Sequence, residues 1–199
     1  MRKIVAGLFM SLDGVVEAPE NWGFHYLDEE MAQEIARGIG QADAVLLGRR
    51  TYLQFAAMWP QQGSDVPMAD FLNKTHKYVV SSTLETLDWG PASLVTGNVS
   101  GELLKLKQQP GKNIQVPGSP VLVRSLLRDG LLEELNLTIT PIVVGSGMRL
   151  FAEITDQIPL KLVHSRAFSS GSISATYQPM ETDRVADQPV HFPEAAARR

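Results

Sequence analysis

The stretch Ala44-Val45-Leu46-Leu47-Gly48-Arg49-Arg50-Thr51-Tyr52 runs from an apolar segment into a glycine, two arginines and a threonine, and then into a helix-like segment. A short apolar run of this kind reads as a buried strand, and the residues after its glycine read as a helix N-terminus. Free backbone N–H groups and the positive end of the helix dipole gather at such a start and attract an anion. Two guanidiniums at the same mouth add planar donors that match phosphate. The stretch therefore reads as an anion site suited to a phosphorylated cofactor, with a solvated arginine pair on an ordinary helix start as the alternative. Thr51 is a candidate N-cap or a hydroxyl donor to phosphate.

Outward from this turn, strands and helices alternate. Residues 4–10 are a continuous apolar run of strand length, and residues 11–24 are rich in turn formers. Asp28-Glu29-Glu30 opens a helix to about Gly38, with Met31, Ile35 and Ile39 on one face. A strand is expected at 42–47, a helix at 51–58 stopped by Trp59-Pro60, and a short helix at 67–74 with Pro67 in first position. Further strands are expected at 76–81, 93–96 and 114–116, with helices at 102–109 and 121–128. One long β-branched strand spans 135–144, and two strands near 160–168 and 172–177 have the spacing of a closing antiparallel pair. The pattern predicts an α/β fold: a largely parallel sheet between helices, with antiparallel strands added at one end. The domain spans residues 1–180, and the polar segment 181–199 reads as a flexible tail.

Bulk properties narrow the function. The chain has 199 residues, 44% hydrophobic and 20% charged, which suits one sizeable core. A net charge of −4 argues against a general nucleic-acid or membrane binder and suits a local positive site for a small anion. The absence of cysteine removes disulfides, thiol nucleophiles and most structural zinc sites. The basic N-terminal pair precedes too short an apolar run for a signal peptide, so the protein is expected in the cytoplasm. The four histidines show no metal-ligand spacing, and the Gly-x-Gly-x-x-Gly dinucleotide fingerprint is missing after the first strand.

Three more loops come directly after expected strands, where ligands bind in open α/β sheets. In Val116-Pro117-Gly118-Ser119-Pro120, Ser119 is a candidate N-cap, Pro120 fits the first helical position and Gly118 permits close backbone approach, although an ordinary strand–helix connection looks the same. The hydroxyls of Ser81, Ser82 and Thr83 can bind a ribose phosphate or form a simple polar turn. In Ser11-Leu12-Asp13-Gly14, Asp13 can hold a donor-rich substrate or turn back onto the backbone. Asp28 is a second candidate acid, though an aspartate is expected at a helix start in any case.

Taken together, these loops resemble the dihydrofolate-reductase-like superfamily, and more closely the C-terminal reductase domain of the bifunctional riboflavin-biosynthesis protein. The resemblance spans roughly residues 1–180. It rests on Ser11-Leu12-Asp13-Gly14, on Leu47-Gly48-Arg49-Arg50-Thr51-Tyr52, and on Val80-Ser81-Ser82. It continues through the run from Pro110-Gly111 to Gly118-Ser119, Leu131-Leu132-Glu133-Glu134-Leu135, Pro141-Ile142-Val143-Val144-Gly145-Ser146-Gly147 and Leu150-Phe151.

The resemblance implies a three-layer αβα domain with a mixed, mostly parallel sheet of about eight strands, NADPH as hydride donor and a homodimer. By the same resemblance, Gly48 and Thr51 meet the pyrophosphate, and Arg49, Ser81 and Ser82 meet the 2′-phosphate and adenosine end. Gly118 and Ser119 cradle the phosphates from the other side, and Gly14, Arg50, Val116 and Pro120 complete the cofactor set. Ala6 lies beside the nicotinamide, and Asp13 faces the substrate between Trp22 and Phe24. Asp13 or Asp28 polarises the substrate or routes a proton to it.

Two departures stand out: Pro117-Gly118 replaces a glycine pair, and Val15-Val16-Glu17 stands where the riboflavin enzymes place a lysine. The expected activity is reduction of 5-amino-6-(5-phosphoribosylamino)uracil or a related small heterocyclic or sugar-derived substrate. Dihydrofolate reduction and a non-catalytic dimeric nucleotide-binding module are the alternatives.

Overall fold

The computed structural model describes residues 1–66 and 68–180. The expected tail at 181–199 and the expected helix-opening Pro67 lie outside the described residues.

Eight strands form one sheet: β1 (Ile4–Ser11), β2 (Ala42–Gly48), β3 (His76–Val80), β4 (Ala92–Val95), β5 (Asn113–Pro117), β6 (Glu134–Thr140), β7 (Leu160–Ala167) and β8 (Ile173–Pro179). Their order is β4-β3-β2-β5-β1-β6-β8-β7. All neighbours are parallel except β8, which runs antiparallel to both β6 and β7. The α-helices are α1 (Glu29–Gly40), α2 (Arg49–Met58), α3 (Ala69–Lys74), α4 (Val99–Gln108) and α5 (Pro120–Arg128). The mixed, mostly parallel sheet is the one expected from the order of elements.

Strand alternation divides the core in two. Ala44 and Leu46 of β2 join Ile4, Ala6, Ile114, Val116 and Leu135 against Leu103 of α4 and Val123 and Leu126 of α5. Val45 and Leu47 point the other way and join Val79, Tyr52 of α2, Leu72 of α3 and Trp89. Helices on both faces of the sheet make three layers. The Tyr52 hydroxyl is hydrogen-bonded in the second core, accepting from the Trp89 amide at 2.8 Å. Lys77 is wholly buried beside it. Its ammonium donates to the Thr75 carbonyl at 2.9 Å and lies 4.3 Å from the centre of the Trp89 ring.

Three boundaries differ from expectation. α2 begins at Arg49 with Gly48 as its N-cap, so Thr51 is the third helical residue and not the cap. α4 begins at Val99 because the Asn98 side chain caps it, accepting from the Gly101 amide at 3.0 Å. The long strand expected over 135–144 stops at Thr140. Pro141 has no N–H to continue a ladder, and the amides of Val144 and Gly145 bond to the Asp13 carboxylate in place of a neighbouring strand. No helix among the described residues is long and apolar enough to cross a membrane.

Candidate functional site

A groove of about 2040 Å³ runs from the starts of α2 and α5 across one face of the sheet toward β8. Because β2 and β5 are parallel neighbours, the helices that leave their carboxyl ends begin side by side. The Gly48 amide donates to Ser119 Oγ at 3.0 Å and ties the two starts together. Ser119 stands at the N-cap position of α5, but its side chain caps nothing there and its backbone is left-handed, at φ 55°. Pro120 occupies the first position of α5. Helix geometry leaves the amides of Val121 and Leu122, and those of Arg49, Arg50 and Thr51, without partners inside their helices. Gly118 sits between the two starts at φ +66°, and a Cβ there would lie 3.6 Å from Thr51 Cγ2. Gly48, Arg49, Arg50, Thr51, Gly118, Ser119 and Pro120 all border the groove.

The two arginines are not equivalent. Arg50 is paired at 2.7 Å with Glu17, whose other carboxylate oxygen accepts from the Met148 amide at 3.0 Å. Arg49 is exposed and has no carboxylate partner among the described residues. Ser81 is buried, and its Oγ accepts from the amides of Thr83 and Leu84 at 3.1 and 3.0 Å, so it forms the polar-turn alternative. Ser82 is exposed, and the groove wall nearby is formed by Val80. Val116 is wholly buried in the core that includes α5.

At the other end, Ala6 is also wholly buried and does not border the groove, whereas its neighbour Gly7, with Leu8 and Phe9 further along β1, does. Phe24 borders it and packs edge-on to Phe9, ring centroids 5.3 Å apart. Trp22 is buried, and its indole N–H donates to the Glu17 carbonyl at 2.8 Å.

Asp13 turns away from the groove. Its carboxylate accepts from the amides of Val144 and Gly145 at 3.0 and 2.9 Å, from the Ser11 hydroxyl at 2.7 Å and from Arg149 at 3.3 Å. These bonds, the Ser11 hydroxyl foremost, hold it well below the ordinary carboxylate range. The neighbouring Gly14 turns at φ +83°, its carbonyl accepting from the Leu150 amide. Asp28 caps α1, accepting from the Met31 amide at 2.9 Å, and reaches the Ser169 hydroxyl at 3.2 Å and the Ser170 amide at 3.3 Å. Its pKa is likewise lowered, chiefly by the Met31 amide.

Sequence reading missed a set of neutral polar side chains that border the groove from the sheet: Gln115, Asn136, Thr138, Ser174 and Thr176. Their signal is a period-two interruption of apolar strands, as in Leu135-Asn136-Leu137-Thr138. Among the described residues no cluster of His, Asp or Glu could hold a metal ion.

The family model described as "RibD C-terminal domain" matches residues 2–174. The uncharacterized protein YyaP of Bacillus subtilis (strain 168) is 30% identical over 182 residues, covering 88% of this chain and 94% of YyaP. A Shewanella sp. PV-4 protein described as a candidate riboflavin biosynthesis protein superimposes with a TM-score of 0.70 at 21% identity, covering 91% of this chain and 100% of that one. A diaminohydroxyphosphoribosylaminopyrimidine deaminase/5-amino-6-(5-phosphoribosylamino)uracil reductase of Thermotoga maritima gives 0.63 at 15% identity, with 90% and 57% covered. Dihydrofolate reductase of Enterococcus faecalis, complexed with NADP(H) and RAB-propyl, gives 0.59 at 14% identity, with 90% and 97% covered. The structural likenesses show that the fold is dihydrofolate-reductase-like. With a family match over most of its length, the chain belongs to the RibD C-terminal domain family.

Proposed function

We propose that the protein is an NADPH-dependent reductase that passes a hydride to a small heterocyclic or sugar-derived substrate in the groove. One observation carries this reading: two helix N-termini open side by side into the groove, joined by the Gly48–Ser119 hydrogen bond. The donor set suits a phosphorylated dinucleotide. Unpaired amides at both starts match a pyrophosphate, and the uncommitted guanidinium of Arg49 matches the 2′-phosphate that distinguishes NADPH from NADH. When bound, the cofactor supplies the hydride.

The chain's own residues bind, orient and exclude water. Gly7 lets a ligand approach the backbone of β1, and Phe9 and Phe24 wall the groove beside it. Asp13 and Asp28 act as positioning residues. Both are held ionised, Asp13 by the Ser11 hydroxyl and then the Val144 and Gly145 amides and Asp28 by the Met31 amide, which leaves neither with a proton to donate near neutral pH. The uracil reductase activity named for the Thermotoga protein is the reaction type that this reading extends to the present chain.

The test is a fluorescence titration of NADPH against NADH, then NADPH oxidation over a panel of pyrimidine, pteridine and sugar-derived acceptors. NADPH is expected to bind about ten-fold or more tightly than NADH, as loss of a charge-assisted phosphate contact implies. It is also expected to be oxidised with at least one acceptor. Absence of NADPH binding overturns the reading, and binding without oxidation of any acceptor favours a non-catalytic nucleotide-binding module.

A further inference from the structure

The floor of the groove departs from what a parallel sheet ordinarily presents. Strands buried on both faces are apolar on both. Here one face of β5, β6 and β8 carries Ile114, Val116, Leu135, Leu137 and Ala175, all buried. The other face turns Gln115, Asn136, Thr138, Ser174 and Thr176 to the groove. The register makes this a continuous patch: Asn136 lies opposite Gly7 on one side and Thr176 on the other, and Thr138 lies opposite Ser174. None of the five side chains has a hydrogen-bond partner among the described residues, and none is sealed from solvent. Gly7 is part of the same device. A Cβ there would stand 3.1 Å from Nε2 of Gln115, so glycine leaves room for the carboxamide beside β1.

Charge is the second half of the observation. On the sheet side Arg166 of β7 is already neutralised: its guanidinium reaches Glu30 at 3.0 Å and Glu34 at 3.9 Å and lies 5.2 Å from the Phe168 ring centre. Arg37, which borders the groove from α1, is exposed and has no carboxylate partner among the described residues. At the mouth, Glu17 takes Arg50. A phosphate placed on the sheet floor itself would therefore meet a guanidinium already shared between two carboxylates, while a neutral hydroxyl or amide would meet unpaired donors and acceptors. An anion buried against a cation that is already paired is disfavoured far more than a neutral polar group is.

We propose that the substrate arm of this groove takes an uncharged substrate rich in hydroxyl or amide groups, bound through Gln115 and Asn136, in place of a phosphorylated one. This rests on the reductase reading above and differs from the phosphoribosyl substrate named for the Thermotoga relative.

The test uses two matched pairs of probes on the full chain: 5-amino-6-ribosylaminouracil and its 5′-phosphate, and ribitol and its 5-phosphate. Calorimetry gives affinity, and NADPH binding is measured separately, so that a failure there strikes the reductase reading alone. The neutral member of at least one pair is expected to bind about ten-fold or more tightly than its phosphate. Gln115→Leu and Asn136→Leu are each expected to weaken it about ten-fold, the equivalent of one lost hydrogen-bonded contact, with NADPH affinity unchanged. Asn136→Arg should shift preference toward the phosphorylated member. Preference for the phosphates in the unaltered protein, failure of both pairs to bind, or leucine variants that bind as before overturn the proposal. So does a change in oligomeric mass in those variants with probe binding intact, which would make the floor a contact between copies of the chain.

Discussion

The backbone amide of Gly48 donates to the hydroxyl of Ser119 at 3.0 Å across 71 residues of sequence, joining the entry of α2 to the entry of α5. Neither helix start is assembled alone. Each presents unpaired amides to the same space; the β2–β5 pairing sets them side by side and this bond ties them together.

Ser119→Ala removes that bond and leaves the Gly48 amide without it. A single neutral hydrogen bond contributes about 1 kcal/mol net, so urea unfolding should show a loss of about that size. NADPH affinity should fall several-fold because the two sets of amides are no longer held in register.

Arg49→Ala should weaken NADPH by about ten- to a hundred-fold, the range of a charge-assisted contact, and leave NADH nearly unchanged. Arg50→Ala should do less, because Glu17 already occupies that guanidinium. Glu17→Gln, which frees Arg50, should tighten NADPH binding at low ionic strength, with the gain fading as salt rises. Parallel fluorescence titrations of the three variants against both nucleotides check the set.

Asp13→Asn should lower thermal stability at pH 7, because two backbone amides and Arg149 lose a full negative charge. The folded-state pKa lies below the ordinary 3.8, so the stabilisation is complete above about that value and is lost as pH falls further. The difference in Tm between the unaltered protein and the variant should therefore narrow on acidification below about pH 4. On the proposed positioning role for Asp13, the pH dependence of kcat should keep its shape in the variant. A lost acidic limb would show otherwise.

Lys77→Met tests the buried ammonium. Burial pushes Lys77 down to about 8 from 10.5, so between those values the unfolded chain binds more protons than the folded one. Stability should therefore rise with pH across that window, and below about pH 8 the folded state carries the full cost of a buried charge. Replacing Lys77 should raise stability at about pH 7 by on the order of 1–3 kcal/mol, and the gain should shrink as the pH approaches the ordinary lysine value. Thermal melts of both proteins between about pH 6 and 11 measure it.

Much of this was legible in residue order. The alternation of strand and helix predicts the sheet, and the turn at Gly48 stands where an apolar run visibly ends. The rest depended on partners distant in sequence. Nothing near Arg50 reveals that Glu17 takes it, and nothing near Asp13 reveals that Val144 and Gly145 fill its carboxylate. Ala6 and Gly7 are adjacent on one strand, so which of them meets the groove depends on strand phase, which an apolar run leaves undefined. Gln115 and Asn136 escape notice because polar residues alternating with apolar ones read as the ordinary solvent face of a strand. Only the register of three strands makes them a surface.

That surface has a consequence for how such proteins diversify. Under the proposed reading, the phosphate-facing groups are largely backbone amides on two tied helix starts, which side-chain drift barely alters. The floor consists of side chains on rigid strands, each exchangeable without moving the chain. A lineage could thus exchange the molecule it reduces through a handful of strand positions while inheriting its electron donor unchanged.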